Sequence, residues 1–276
     1  MLRKHKRLQN FSAVAAGQIA TLEVPIGETY FNIVLQYSES ATLVTEANMK
    51  AAIEEVNIKL NGVSVRRLSA ADIIALNALH GVAYQDGFLP LFFAEPWARN
   101  LQSEDVFAWG TADVQTFQIE VKIASGRTAP ALQATAETTN QLRNLGAIKK
   151  FRKYNIPVSA TGIHNYQNLP RVDTLAALHC ESTDIDAVTA KVDNVEVFDQ
   201  TKDQITQHLN NVPDISPQAT FTHVLFNATG RLEDNLPMAY PTDKKSTVRR
   251  IQSLQFDFDM SAATPFDLIA ETIGVL

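Results

Sequence analysis

Ile53-Glu-Glu-Val-Asn-Ile-Lys-Leu-Asn-Gly-Val-Ser-Val65 aligns without a gap to Ile185-Asp-Ala-Val-Thr-Ala-Lys-Val-Asp-Asn-Val-Glu-Val197, an offset of 185 − 53 = 132. Isoleucine, valine and lysine recur in phase. Asn61-Gly62 and Asp193-Asn194 interrupt the two copies at the same point. Val56, Ile58 and Leu60 alternate with Asn57 and Lys59, the period-two mark of a strand with one buried face. Asn-Gly suits a tight type I′ hairpin, because both turn residues tolerate positive φ, so Val63–Val65 reads as the returning strand. A fixed-period repeat of this kind predicts two similar β-domains in tandem.

The match extends outward. After each hairpin the spacing turns helical. Ser69-Ala-Ala-Asp72 can cap a helix carrying Ile73, Leu76 and Leu79, its Asp a weaker partner than Glu, and Thr201-Lys-Asp-Gln204 is a capping box before Ile205 and Leu209. Further on, Phe117-Gln-Ile-Glu-Val-Lys-Ile123 is set against Gln252-Ser-Leu-Gln-Phe-Asp-Phe258, an offset of 254 − 119 = 135. A last strand follows each, from Ala131 to Thr138 and from Phe266 to Val275. Upstream, Thr21–Val24 and the alternating Phe31, Ile33, Leu35 and Tyr37 add strands to the first half.

The expected organisation is a first domain over residues 1–140, a linker over 141–157 that includes basic Lys149-Lys-Phe-Arg-Lys153, and a second domain over 158–276. Gly230 to Ser246, with Pro237 and Pro241, is expected as an exposed loop. About eight short strands and one flanking helix per half point to an all-β chain of two tandem jelly rolls, although periodicity does not give strand order and leaves an immunoglobulin-like arrangement open.

Composition sets the outer limits. The chain has 276 residues, 45% hydrophobic and 20% charged, enough to bury a core in each half. A net charge of −6 argues against a nucleic-acid-binding face. Cys180 is the one cysteine, which excludes an intrachain disulfide. The apolar stretch near Phe88 to Ala94 is too short to span a bilayer. The N-terminal Arg3–Arg7 cluster before Ala13–Ala16 resembles an export signal only loosely, and is read as part of the mature chain.

Catalytic patterns do not emerge. Six histidines, His5, His80, His164, His179, His208 and His223, form no His-x-His or His-x-x-x-His pair, so the metal set of a cupin is missing. Each is read as a surface or satisfied core residue. There is no Gly-x-Ser-x-Gly elbow and no Gly-rich phosphate loop. Asp257 with Asp259, and Asp184 with Asp186, are spaced to help hold calcium, although a solvated outer face is the simpler account. Trp97 and Trp109 are expected in the core, and Cys180 as a small buried residue. Arg3, Lys4, Lys6 and Arg7 form a basic tail, either solvated or drawn to anionic lipid at ~1 kcal/mol each.

Phe11-Ser-Ala-Val-Ala-Ala-Gly17, Val24-Pro-Ile-Gly-Glu-Thr-Tyr30, Leu35-Gln-Tyr-Ser38, Val56–Gly62, Ala129-Pro-Ala-Leu132 and Leu169-Pro-Arg171 occur in that order. Together they resemble the major capsid protein of corticovirus-type phages, icosahedral bacterial viruses with an internal membrane. That family is similar to the double jelly-roll capsid proteins of tectiviruses and adenoviruses. The resemblance implies a non-enzymatic coat protein that forms homotrimers with six near-equivalent barrels. Its implied partners are neighbouring capsid trimers, a vertex (penton) protein, and the inner membrane or membrane proteins, with no specific nucleic acid. It also implies a place in the virion after synthesis in the host cytoplasm, and a membrane-facing role for the Arg3–Arg7 tail. No cofactor is required on this reading, with calcium the one candidate. The rivals are a double jelly-roll carbohydrate-active enzyme and a minor coat or spike protein.

Overall fold

A computed structural model describes residues 2–98, 104–228, 231–241 and 248–276. The chain divides into two compact units. The first holds the residues up to Arg152 together with Val275–Leu276, and the second holds Lys153–Gly274.

In the first unit the strands are β1 (Arg3–Arg7), β2 (Ile19–Glu23), β3 (Thr29–Glu39), β4 (Thr42–Leu43), β5 (Ile53–Leu60), β6 (Val63–Leu68), β7 (Phe88–Phe92), β8 (Trp109–Gly110), β9 (Phe117–Ile123), β10 (Pro130–Thr139) and the start of β11 (Ile148–Ile156). Helices α1 (Glu46–Ala52) and α2 (Ala70–Leu79) flank β5 and β6. One sheet runs β1-β10-β3, with β4, β7 and β8 also on β3. The other runs β11-β6-β5-β9-β2. Alternation supplies the core between them: Leu22, Ile33, Leu35, Ile58, Leu60, Ile119 and Val121 are all buried. Phe93 stacks on Trp109 at 4.2 Å, and Phe117 meets Trp109 and Tyr30 at 5.5 Å each.

The second unit carries β12 (Gly162–Tyr166), β13 (Thr174–Glu181), β14 (Ile185–Val192), β15 (Val195–Thr201), helix α3 (Lys202–Asn210), β16 (Thr222–Leu225), β17 (Ala239–Pro241), β18 (Val248–Arg250), β19 (Leu254–Met260) and β20 (Phe266–Gly274). One sheet runs β12-β19-β14-β15, a second contains β16-β13-β20, and β17 pairs β18. Val188, Ala190, Phe256, Phe258, Leu178 and Leu268 fill the space between them. Apart from the parallel β11–β6 pair, each unit is therefore a two-sheet antiparallel barrel of the jelly-roll kind.

The repeat is reproduced down to its irregularities. Asn61 (φ 50°) and Gly62 (φ 77°) form the first turn, and Asp193 (φ 48°) and Asn194 (φ 65°) form the second. Both turns thus have the positive-φ pair that a type I′ hairpin requires. A bulge falls between Ile53 and Glu55 in one copy and between Ile185 and Ala187 in the other. A second falls between Ile58 and Lys59, and again between Ala190 and Lys191. Each pair is 132 residues apart.

Four expectations need correction. The late strands correspond at 254 − 117 = 137, not 135. Leu60 faces Phe117 just as Val192 faces Leu254. A shift of two residues leaves the same faces inward, so alternation alone could not detect it. Second, residues 141–157 are not simply a linker, because 148–156 form β11. There Phe151 lies parallel to Arg66 of β6. Third, the 230–246 loop is partly interior: Leu236 bridges Leu175 and is buried with Met238. Of that loop, residues 230 and 242–246 lie outside the described residues. Fourth, the first unit has a further helix besides α2, since α1 precedes β5.

Candidate assembly surfaces

The hairpin tips are pinned identically. Asn61 Oδ1 accepts from the N–H of Gln115 and of Thr116, at 2.7 and 3.2 Å. Asp193 Oδ1 accepts from the N–H of Gln252 and of Ser253, at 2.6 and 2.9 Å. In each copy the turn residue therefore caps the strand that enters beside it. Beyond the tips, Val63 and Val195 are both exposed.

The helices that follow start as the sequence requires. Ser69 accepts from the Asp72 N–H while Asp72 accepts from the Ser69 N–H, and Thr201 and Gln204 do the same. These reciprocal bonds satisfy donors that a helix start leaves open.

The basic N-terminus is a strand, not a tail. β1 pairs antiparallel with β10, Arg3 opposite Thr139 and Arg7 opposite Thr135. Arg3 reaches Glu104, Asp105 and Glu137 and lies 4.3 Å over the Phe31 ring. Lys6 pairs with Glu28 at 2.5 Å, and Lys4 donates to Asn140. Burial pushes the Glu28 carboxyl up, but the bond from Lys6 and the charges of Lys6 and Lys4 hold it below the ordinary range. Acidic partners distant in sequence thus convert an apparent free cluster into a docked edge strand. Arg7 and His5 remain exposed.

The two copies differ sharply beside β6 and β15. In the first unit Arg66 is buried, donates to the carbonyls of Lys149 and Phe92, and lies 5.0–5.3 Å from the rings of Phe93, Trp109 and Phe151. Lys149 in turn pairs with Glu95. In the second unit the equivalent residue is Phe198, half-buried against the core. No motif announced Arg66, because its carbonyl and ring partners are assembled only by folding.

The remaining candidates separate into packed and solvated groups. Trp109 is a core residue, whereas Trp97 is half-buried and stacks on His80 at 4.1 Å. Cys180 is buried, and burial pushes its thiol up, so it is no nucleophile. His179 and His223, far apart in sequence, face each other across β13 and β16 with their Nδ1 atoms 2.9 Å apart. Glu271 lies 3.6 Å from His179, and Gln218 lies 2.8 Å from His223.

Burial pushes the Asp257 carboxyl up, but bonds from Lys191, Gln255 and Asn165 and the Lys191 charge outweigh it and leave it low. Its oxygens are thereby occupied. Among the described residues no group of three or more His, Cys, Asp or Glu side chains is arranged to hold a metal ion. No helix among them is long and apolar enough to cross a membrane.

Two stacked-sheet barrels with matching turns, bulges and caps define a double jelly-roll protein. The family comparison assigns residues 5–139 to the viral coat protein P2 N-terminal domain and 148–276 to the P2 C-terminal domain. The chain belongs to the viral coat protein P2 family. It is 27% identical over 215 residues to the major capsid protein P2 of Pseudoalteromonas phage PM2, spanning 73% of this chain and 74% of that one. The crystal structure of PM2 P2 superimposes with a TM-score of 0.87, at 23% identity, over 100% of this chain and 98% of that one. The STIV MCP matches with a TM-score of 0.69, at 12% identity, over 100% and 97%. The PBCV-1 capsid protein follows at 0.65 and 8% identity, over 99% and 93%. The protein is a structural major capsid protein, not an enzyme.

Proposed function

We propose that three copies close into a trimer whose six barrels fill a near-hexagonal position in an icosahedral shell. The observation that carries this reading is the repetition of one barrel, with its hairpin pin, bulges and helix cap, at a fixed offset within one chain. Two equivalent barrels per chain let a closed threefold ring approximate sixfold packing. Neighbouring trimers, a vertex protein and an inner membrane or its proteins complete the set of partners. Synthesis in the host cytoplasm precedes assembly.

In such a shell the sheet edges and exposed valines of the units are covered by neighbours, which removes the aggregation hazard they pose to a lone chain. Electron microscopy of the purified protein tests the proposal. Uniform particles with six density lobes around a threefold axis are expected. Two-lobed single chains under all assembly conditions would contradict it.

A further inference from the structure

The repeat supplies its own comparison for one sheet edge. In the first unit the outer edge of β6 is occupied by β11, with Phe151 beside Arg66 and the Arg66 Nε donating to the Lys149 carbonyl at 3.0 Å. In the second unit β15 ends its sheet, with no strand beside it among the described residues. The consequence is visible at equivalent side chains. Val65 is 3% exposed, whereas Val197, in the matching bulge, is 45% exposed.

An open edge lined with valines is a template for strand addition. Its charge selects the occupant. From Asp193 to Thr201 the segment carries Asp193, Glu196 and Asp199 and no cation. The strand that covers the equivalent edge, β11, carries Lys149, Lys150, Arg152 and Lys153. β1 is an extended segment of that character and ends its own sheet, in the unit that β15 would meet from a second copy. Arg3 and Lys6 are engaged by carboxylates of their own unit, but His5 and Arg7 are exposed along the strand.

We propose that the β15 edge of one copy receives the β1 edge of a second copy, setting Glu196 and Asp199 against His5 and Arg7. This rests on the trimeric reading and deepens it by naming the contact. The contact is heterologous, second unit to first, so three of them close a ring and cover both edges at once.

Two measurements test it. The first is a charge swap read by sedimentation. Glu196→Lys with Asp199→Lys should raise the concentration for half-assembly roughly tenfold, and adding His5→Glu with Arg7→Glu in the same chain should restore it. All four positions are exposed, and far-UV circular dichroism checks that the variants fold. The second is a chain carrying His5→Cys and Val197→Cys, which should form intermolecular disulfides on oxidation, the native Cys180 being buried. Trimers that ignore the charge reversal and give no crosslink would overturn the edge contact alone. A wild-type chain that stays monomeric would overturn the trimer and the contact together.

Discussion

Asn61 and Asp193 perform one task with different chemistry. Both receive two backbone N–H groups, but only Asp193 carries a charge that can be lost. Those two bonds from Ser253 and Gln252 hold its carboxyl below the usual range. A small burial cost opposes them, and the charges of Arg249 and Arg171 add to them. Because the folded value is depressed, the stabilisation is complete above the unfolded value of about 3.9 and is lost as pH falls through the folded one. Asp193→Asn, which copies the first unit, is therefore expected to keep neutral stability and move acid unfolding to lower pH, followed by circular dichroism. An unchanged acid midpoint would refute the assignment. At the N-terminus, Arg3 is bound by three carboxylates, so Arg3→Ala should lower the melting temperature while leaving flotation with anionic vesicles unchanged. The opposite pattern would restore a lipid-facing role.

At the scale of elements, the hairpin and the cap are the units that repeat. Gly62→Ala places a Cβ at φ 77° and should destabilise the first unit by about 1–2 kcal/mol. Ser69→Ala and Thr201→Ala should each cost about 1 kcal/mol in urea unfolding. Equal losses are expected because both caps are reciprocal; a loss at one alone would break the equivalence. These elements were legible in the sequence because their signals are local: a turn dipeptide, a capping pair, a two-residue period. What depended on distant pairing was not. The two-residue error at β19 arose because alternation is blind to even shifts. β11 looked like a linker because its basic residues hide a strand that forms only by pairing with residues distant in sequence, Arg66 of β6 among them. The docking of β1 required Glu104, Asp105 and Glu137, and nothing near Arg3 pointed to them. His179 and His223 meet only because β13 and β16 pair.

Across the whole molecule, duplication provides two barrels whose cores are satisfied internally and whose edges are not equally covered. Gly110 marks how closely the first unit is packed: an added Cβ would strike the carbonyls of Arg143 and Asn144. Gly110→Ala is accordingly expected to lower thermal stability, with a neutral result contradicting that close approach. Stability of the fold and completion of the edges are thus separate matters, the second assigned by the proposed trimer to neighbouring copies. The mass of the purified chain in solution, measured by sedimentation equilibrium, addresses this most directly. Three times the chain mass of 30.4 kDa is expected. A monomer that persists at concentrations where the fold is intact would contradict the account.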